Sequence, residues 1–166
     1  MSSLNNGAAF PTLEIPAVGG GVISLPGDLS GAFGVVLIYR GAWCPVCNHQ
    51  FADFGAKQAA LQALGVKMVA LSVDDEANAK AFKEKHGLAF AVGHSADADK
   101  VAAATGAYTN DAPRFLQPTG YVLAPDGSVM SAVYATNAVG RLSADEVIGF
   151  VEYVKSKISG QNEAAA

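Results

Sequence analysis

Val35-Val36-Leu37-Ile38-Tyr39-Arg40-Gly41-Ala42-Trp43-Cys44-Pro45-Val46-Cys47 is the stretch from which the rest of the chain can be read. Its apolar run is continuous rather than alternating, the pattern of a strand covered on both faces. A short turn follows, and then a helical pattern opens on Pro45. Proline suits a first helical turn, where its missing N–H would have had no intrahelical partner. Cys44 and Cys47 are the two cysteines of the 166 residues. A lone C-x-x-C beside a strand–helix–strand pattern in a reducing compartment points to redox chemistry, because structural disulfides are rare there.

Downstream, Cys44, Cys47, Phe51, Phe54, Leu61 and Leu64 fall on one helical stripe over residues 45–64, and Gly65 supplies the stop. Both sulfurs are thereby expected on the core side of the helix, at its N-terminal end. Residues 66–73 read as a second buried strand. Asp74-Asp75-Glu76 then opens a helix to about His86, ended by Gly87. A short strand over 88–92 and a helix over 97–105, stopped by Gly106, come next. After a loop over 107–119, the turn Pro125-Asp126-Gly127 joins strands 121–124 and 128–134 as a hairpin. Ser143 and Glu146 form a capping box for a last helix with Val147, Phe150, Val151, Val154 and Ile158 as its apolar stripe. Upstream, three prolines and Gly19-Gly20-Gly21 suggest a small hairpin of 12–16 with 22–24.

The order β-α-β, an insert, then β-β-α is that of a thioredoxin-like α/β fold. Such a fold has a mixed β-sheet flanked by helices on both faces, preceded here by a short N-terminal β extension. No linker divides the chain, so residues 1–166 are expected to form one domain, with 1–9 and 159–166 as flexible ends.

Composition narrows the partners. Hydrophobic residues make up 51% and charged ones 16%, which excludes a disordered chain. The net charge of −4 and the absence of any basic run argue against nucleic acid and anionic membrane. No apolar stretch approaches the roughly 20 residues a membrane span requires. The first residues lack a secretory pattern, so a cytoplasmic location is expected.

A thiol attacks as its thiolate, and an ordinary cysteine is mostly protonated at neutral pH. The helix N-terminus offers unpaired N–H groups and about half a positive charge. Arg40, just upstream, could add a full one. Residues three apart across a first turn also reach the Cα separation of a disulfide, about 4.4–6.8 Å. Two other readings compete. The cysteines could be small buried hydrophobes. Alternatively, Cys44, Cys47 and His49 form a C-x2-C-x-H pattern, but a closed zinc site needs four ligands and His86 and His94 have no ligand spacing. No metal and no organic cofactor are expected.

Residues 39–50, Tyr-Arg-Gly-Ala-Trp-Cys-Pro-Val-Cys-Asn-His-Gln, resemble the YRG-x-WCP-x-C signature of peroxiredoxin-like proteins of the alkyl-hydroperoxide-reductase/thiol-specific-antioxidant group. The resemblance continues through Val69-Ala70-Leu71-Ser72-Val73-Asp74, Pro118-Thr119-Gly120-Tyr121 and Gly140-Arg141-Leu142. It implies a thiol peroxidase. Laid on the family motif, Cys47 takes the peroxidatic place, Cys44 that of a threonine and Arg40 that of a proline. Pro118 resembles the cis-proline that thioredoxin-fold proteins set beside their cysteines. Gln117-Pro118 stands about where the family carries an arginine, which leaves Arg114 and Arg141 as substitutes. Trp43 is expected as a wall over the sulfurs.

The resemblance implies a Cys44/Cys47 dithiol–disulfide cycle acting on hydroperoxides. The reductant would be a thioredoxin-like or other dithiol, and a homodimer is compatible with the fold. Two rival functions stay open: a protein disulfide reductase with Cys44 as nucleophile, and a redox-sensing or binding domain without turnover.

Overall fold

In the computed structural model, which describes residues 2–165, a five-stranded sheet runs through the molecule. The chain order is β1 (Leu13–Pro16), β2 (Val22–Leu25), β3 (Phe33–Ile38), α1 (Pro45–Ala63), β4 (Val66–Leu71), α2 (Glu76–Lys85) and β5 (Ala91–Gly93). It continues with α3 (Ala98–Thr105), β6 (Thr109–Asn110), β7 (Phe115–Leu116), β8 (Thr119–Leu123), β9 (Val129–Tyr134) and α4 (Ala144–Ala165). The sheet order is β5-β4-β3-β8-β9, with β3, β4 and β5 parallel and β8 and β9 antiparallel to their neighbours. This is the mixed sheet of a thioredoxin-like fold.

Both faces are covered, which explains the uninterrupted apolar run in β3, where every residue is buried. Val35, Leu37 and Tyr39 point to a core shared with α1, α2 and α4. Val36 and Ile38, on the opposite face by the two-residue period of a strand, meet the β1–β2 hairpin and α3. The parallel register of β3 with β4 ends at Ile38 opposite Leu71. The carboxyl ends of both strands therefore open at the same edge, directly beneath the start of α1.

Three helices start where their side chains dictate. Asp75 accepts the Asn78 N–H at 2.9 Å, and Asp97 accepts those of Asp99 and Lys100 at 3.0 and 3.1 Å. Ser143 and Glu146 close the reciprocal capping box at the start of α4. At Gly55, α1 passes so close to α2 that an added methyl would lie 2.5 Å from the His86 carbonyl oxygen. Gly55→Ala is accordingly expected to cost about 1–3 kcal/mol through overpacking, read as a lower urea midpoint with an unchanged m-value.

Regular backbone structure reaches into both ends of the chain. Gly7 N–H donates to the Val129 carbonyl at 2.8 Å, Val129 N–H to that of Ala8, and Phe10 N–H to that of Gly127. Residues 7–10 thus extend the pairing beside β9, and the buried Phe10 ring meets Tyr121 edge-on at 5.1 Å. At the other end α4 continues to Ala165. A single Gly160 costs about 1 kcal/mol, too little to end a helix among good helix formers. The apolar stripe does run out, since Ile158 is exposed. Met1 and Ala166, which the flexible ends also included, lie outside the described residues.

Candidate active site

Cys44 is the N-cap of α1, in extended backbone, and Pro45 begins the helix. The Cys47 N–H donates to the Cys44 sulfur at 3.2 Å, the bond that an aspartate or serine makes at other helix starts. Both cysteines are fully buried free thiols. The strand end contributes as well, for the Arg40 N–H donates to the Cys47 sulfur at 3.4 Å.

Arg141, in the loop before α4, lies across both sulfurs. Its Nη2 is 3.1 Å from Cys47 Sγ and 3.6 Å from Cys44 Sγ. The rest of the guanidinium is fastened, with Nε donating to the Ala138 carbonyl and Nη1 to Gln50 Oε1, both at 2.7 Å. Gln50 sits one helical turn after Cys47 and uses its amide nitrogen to hold the Leu142 carbonyl at 2.9 Å. A second cation, Arg40, places Nη1 3.9 Å from Cys44 Sγ. Its guanidinium lies 5.0 Å from the Trp43 ring and 4.9 Å from that of Phe115.

These neighbours move the two thiols in opposite directions. Burial pushes Cys44 up, but the Cys47 thiol and N–H, Arg40 and Arg141 outweigh it and hold Cys44 below the ordinary thiol value. Burial and the adjacent Cys44 push Cys47 up, with Arg141 and the Arg40 N–H offsetting only part. The pair therefore sheds its first proton easily and keeps its second, as two like charges in contact must.

The turn before Cys44 is clamped from both sides. Asp74 accepts the Ala42 N–H at 2.8 Å, while Asn48 Nδ2 donates to the carbonyls of Ala42 and Cys44 at 2.8 and 2.9 Å. Because both Asn48 hydrogens are engaged this way, its oxygen is the acceptor for His86 Nε2 at 2.8 Å. Burial, with Lys85 adding to it, lowers the His86 ionisation, and the neutral ring carrying its proton on Nε2 fits this bond. A methyl at Gly41 would collide with the Trp43 indole, so glycine lets the ring fold back over the turn.

The remaining expected residues divide. Trp43 stands beside the sulfurs' arginine and packs edge-on against Phe115, yet more than half of it is exposed, so it borders the site rather than roofing it. Arg114 is drawn away: Asp99 and Asp111 hold it on the surface by ion pairs. Pro118 is buried at the entry to β8, but its peptide bond is trans; cis bonds occur at Leu25–Pro26 and Ala112–Pro113. Its carbonyl accepts the Ala135 N–H at 3.1 Å, which carries the β8–β9 pairing one step further in extended backbone. Gln50 and Asn48 stand within the motif without an expected role. The Gln50 partners, Arg141 and Leu142, and the Asn48 partner His86 are remote in sequence, and the Asn48 bonds to the Ala42 and Cys44 carbonyls depend on the folded turn. Among the described residues no three of His, Cys, Asp and Glu converge as a metal would need. No helix among them is long and apolar enough to cross a membrane.

A thioredoxin-like sheet carrying two thiols at the start of α1, under a fixed guanidinium, defines a thiol oxidoreductase. The model of the AhpC/TSA family matches residues 6–132, and the chain belongs to that family. It is similar to a peroxiredoxin of Chlorobaculum tepidum, 26% identical over 163 residues that cover 96% of this chain and 75% of that one. A peroxiredoxin of Treponema denticola is likewise 26% identical over 163 residues, covering 96% and 76%. Among solved structures, AhpC of Mycobacterium tuberculosis superposes with a TM-score of 0.79 at 17% identity, over 94% of this chain and 96% of that one, a likeness of fold. The chain is thus a thiol-dependent peroxidase by family, an enzyme that takes a hydroperoxide and draws on a reductant. Arg141 lies beyond the residues the family model matches.

Proposed function

We propose that the chain reduces hydroperoxides through a Cys44/Cys47 cycle in which Cys47 attacks and Cys44 resolves. The observation that carries this reading is the single Arg141 nitrogen within 3.1 and 3.6 Å of the two sulfurs. One guanidinium can stabilise a negative charge on either sulfur as the proton passes between them.

In the first step the Cys47 thiolate attacks the terminal oxygen of the hydroperoxide. An S–O bond forms, the O–O bond breaks, and the departing alkoxide takes the proton held by Cys44. The sulfur is oxidised to a sulfenic acid and the peroxide is reduced to an alcohol. The Cys44 thiolate then attacks the Cys47 sulfur, and hydroxide leaves as water after taking a proton from solvent. A dithiol reductant, of thioredoxin type, restores both thiols by exchange. Cysteine at the helix cap thus serves three turns of one role: acceptor for the Cys47 N–H, proton donor and resolving thiol.

A second reading has its own support. The cap position and two arginines hold Cys44, not Cys47, below the ordinary thiol value, as a disulfide reductase with Cys44 as nucleophile would require. Stopped-flow mixing of the reduced protein with hydrogen peroxide, followed by Trp43 fluorescence, separates the two. The first reading expects a fast phase that is lost in Cys47→Ser and kept in Cys44→Ser, with sulfenic acid accumulating in the latter. A fast phase lost only in Cys44→Ser gives the attack to that residue. Slow peroxide reaction with rapid reduction of a protein disulfide establishes the reductase instead.

A further inference from the structure

Arg40 has no carboxylate partner among the described residues. Nor has Arg141 among them, whereas Arg114 is paired twice. Asp74, the carboxylate of the same turn, is committed to the Ala42 N–H. Two guanidiniums thus converge on one pair of sulfurs, in a chain whose overall charge is −4. The Arg40 Nε is buried without a hydrogen-bond partner, a costly state for a cation's donor.

The two guanidiniums also face different spaces. Arg141 is tied down by Ala138 and Gln50. Arg40 instead borders an open hollow with Trp43, Asn110, Pro113 and Phe115, where two aromatic rings flank its charge. A ligand entering there meets the Arg40 cation and the two aromatic rings. A partly buried guanidinium with a donor left unpaired attracts an anion more strongly than one on a fully solvated surface.

We propose that Arg40 is a specificity-determining residue and that the favoured substrates are organic hydroperoxides bearing a carboxylate on an apolar body. The inference rests on the peroxidase reading. The carboxylate pairs with Arg40, the body lies along Trp43 and Phe115, and the O–OH group is delivered to the sulfur pair beyond. The chemistry of the step is unchanged, since the carboxylate is neither oxidised nor transferred.

The test compares the para-carboxylate of cumene hydroperoxide with its methyl ester, and with hydrogen peroxide as reference, in the first-turnover fluorescence assay. The two organic peroxides share the reacting group and differ in charge. The wild-type protein is expected to favour the acid over the ester by about tenfold in apparent second-order rate constant, equal to about 1.4 kcal/mol. In Arg40→Gln the ratio falls to near one, whatever happens to the absolute rates through Cys44, and Arg40→Lys keeps part of it. Should a variant fail to fold, the wild-type ratio alone decides, because it must shrink as salt is raised to about 0.5 M. A wild-type ratio near one with brisk hydrogen peroxide reduction overturns the inference and leaves the peroxidase standing. A tenfold ratio that survives Arg40→Gln, or that ignores salt, overturns it too. No reaction with any of the three peroxides overturns the peroxidase reading, and this inference with it.

Discussion

In Arg141→Gln, the first-turnover reaction with hydrogen peroxide at neutral pH is expected to slow by about ten- to a hundredfold. Arg141 donates to Cys47 Sγ at 3.1 Å and reaches Cys44 Sγ at 3.6 Å. A hydrogen bond to a charged group is worth about 1.5–3 kcal/mol, and each 1.36 kcal/mol is a factor of ten in rate. Glutamine keeps a donor but removes the charge and shortens the reach. The sign of the accompanying pH change follows. Arg141 favours the thiolate, so its loss moves the first ionisation of the pair upward, and thiolate absorbance at 240 nm appears at higher pH than in the wild type. The wild-type rate should rise through an ionisation below the ordinary thiol range, because Cys44 is held down there. It should fall again in alkali, because the leaving oxygen needs the second proton, which Cys47's burial keeps on the pair. Raising the pH should rescue the variant up to that alkaline limb if Arg141 acts on ionisation alone. An unchanged rate and an unchanged absorbance titration would remove Arg141 from the site.

Phe51→Ala is expected to lower the unfolding free energy by about 3–5 kcal/mol, a large share of the 5–15 kcal/mol typical of a domain. Phe51 is fully buried one turn beyond Cys47. Its ring lies 5.0 Å from Tyr39 and 4.9 Å from Phe82, while Tyr39 and Phe82 stack at 4.6 Å with planes 11° apart. Three elements meet in these three rings: the end of β3, the start of α1, and α2. The cavity left by alanine cannot collapse without moving one of them, and α1 carries the sulfurs. Urea unfolding measures the loss, and a change below 1 kcal/mol would show that the rings are not the anchor described. The peroxide reaction should slow as well, since a helix start that shifts loosens the bonds from the Cys47 N–H and the Arg40 N–H.

The path from residues to site was legible where the determinants are local. Cys44 at the cap, Pro45 in the first turn and the stripe through Cys47, Phe51, Phe54 and Leu61 are all decided within one or two helical turns, and each is where its pattern put it. The caps at Asp75, Asp97 and Ser143 are legible for the same reason. Arg114 and Arg141 could not be told apart that way. Each stands in a loop, and what separates them is which carboxylates or sulfurs the folded chain brings near. Asp99 and Asp111 take one; the sulfurs, 94 and 97 positions away, take the other. The two-residue strands β6 and β7 are too short to show a period. The trans bond at Pro118 and the pinned residues 7–10 depend on pairing with β9.

The order of strands and helices, the cysteine pair and its place at a helix start were determined by the sequence itself, since each follows from backbone chemistry and side-chain period over a few residues. Which arginine lies across the sulfurs and which is drawn off to surface carboxylates were decided only in the tertiary structure. Charge interactions depend on distance and burial, and folding alone sets both between residues remote along the chain.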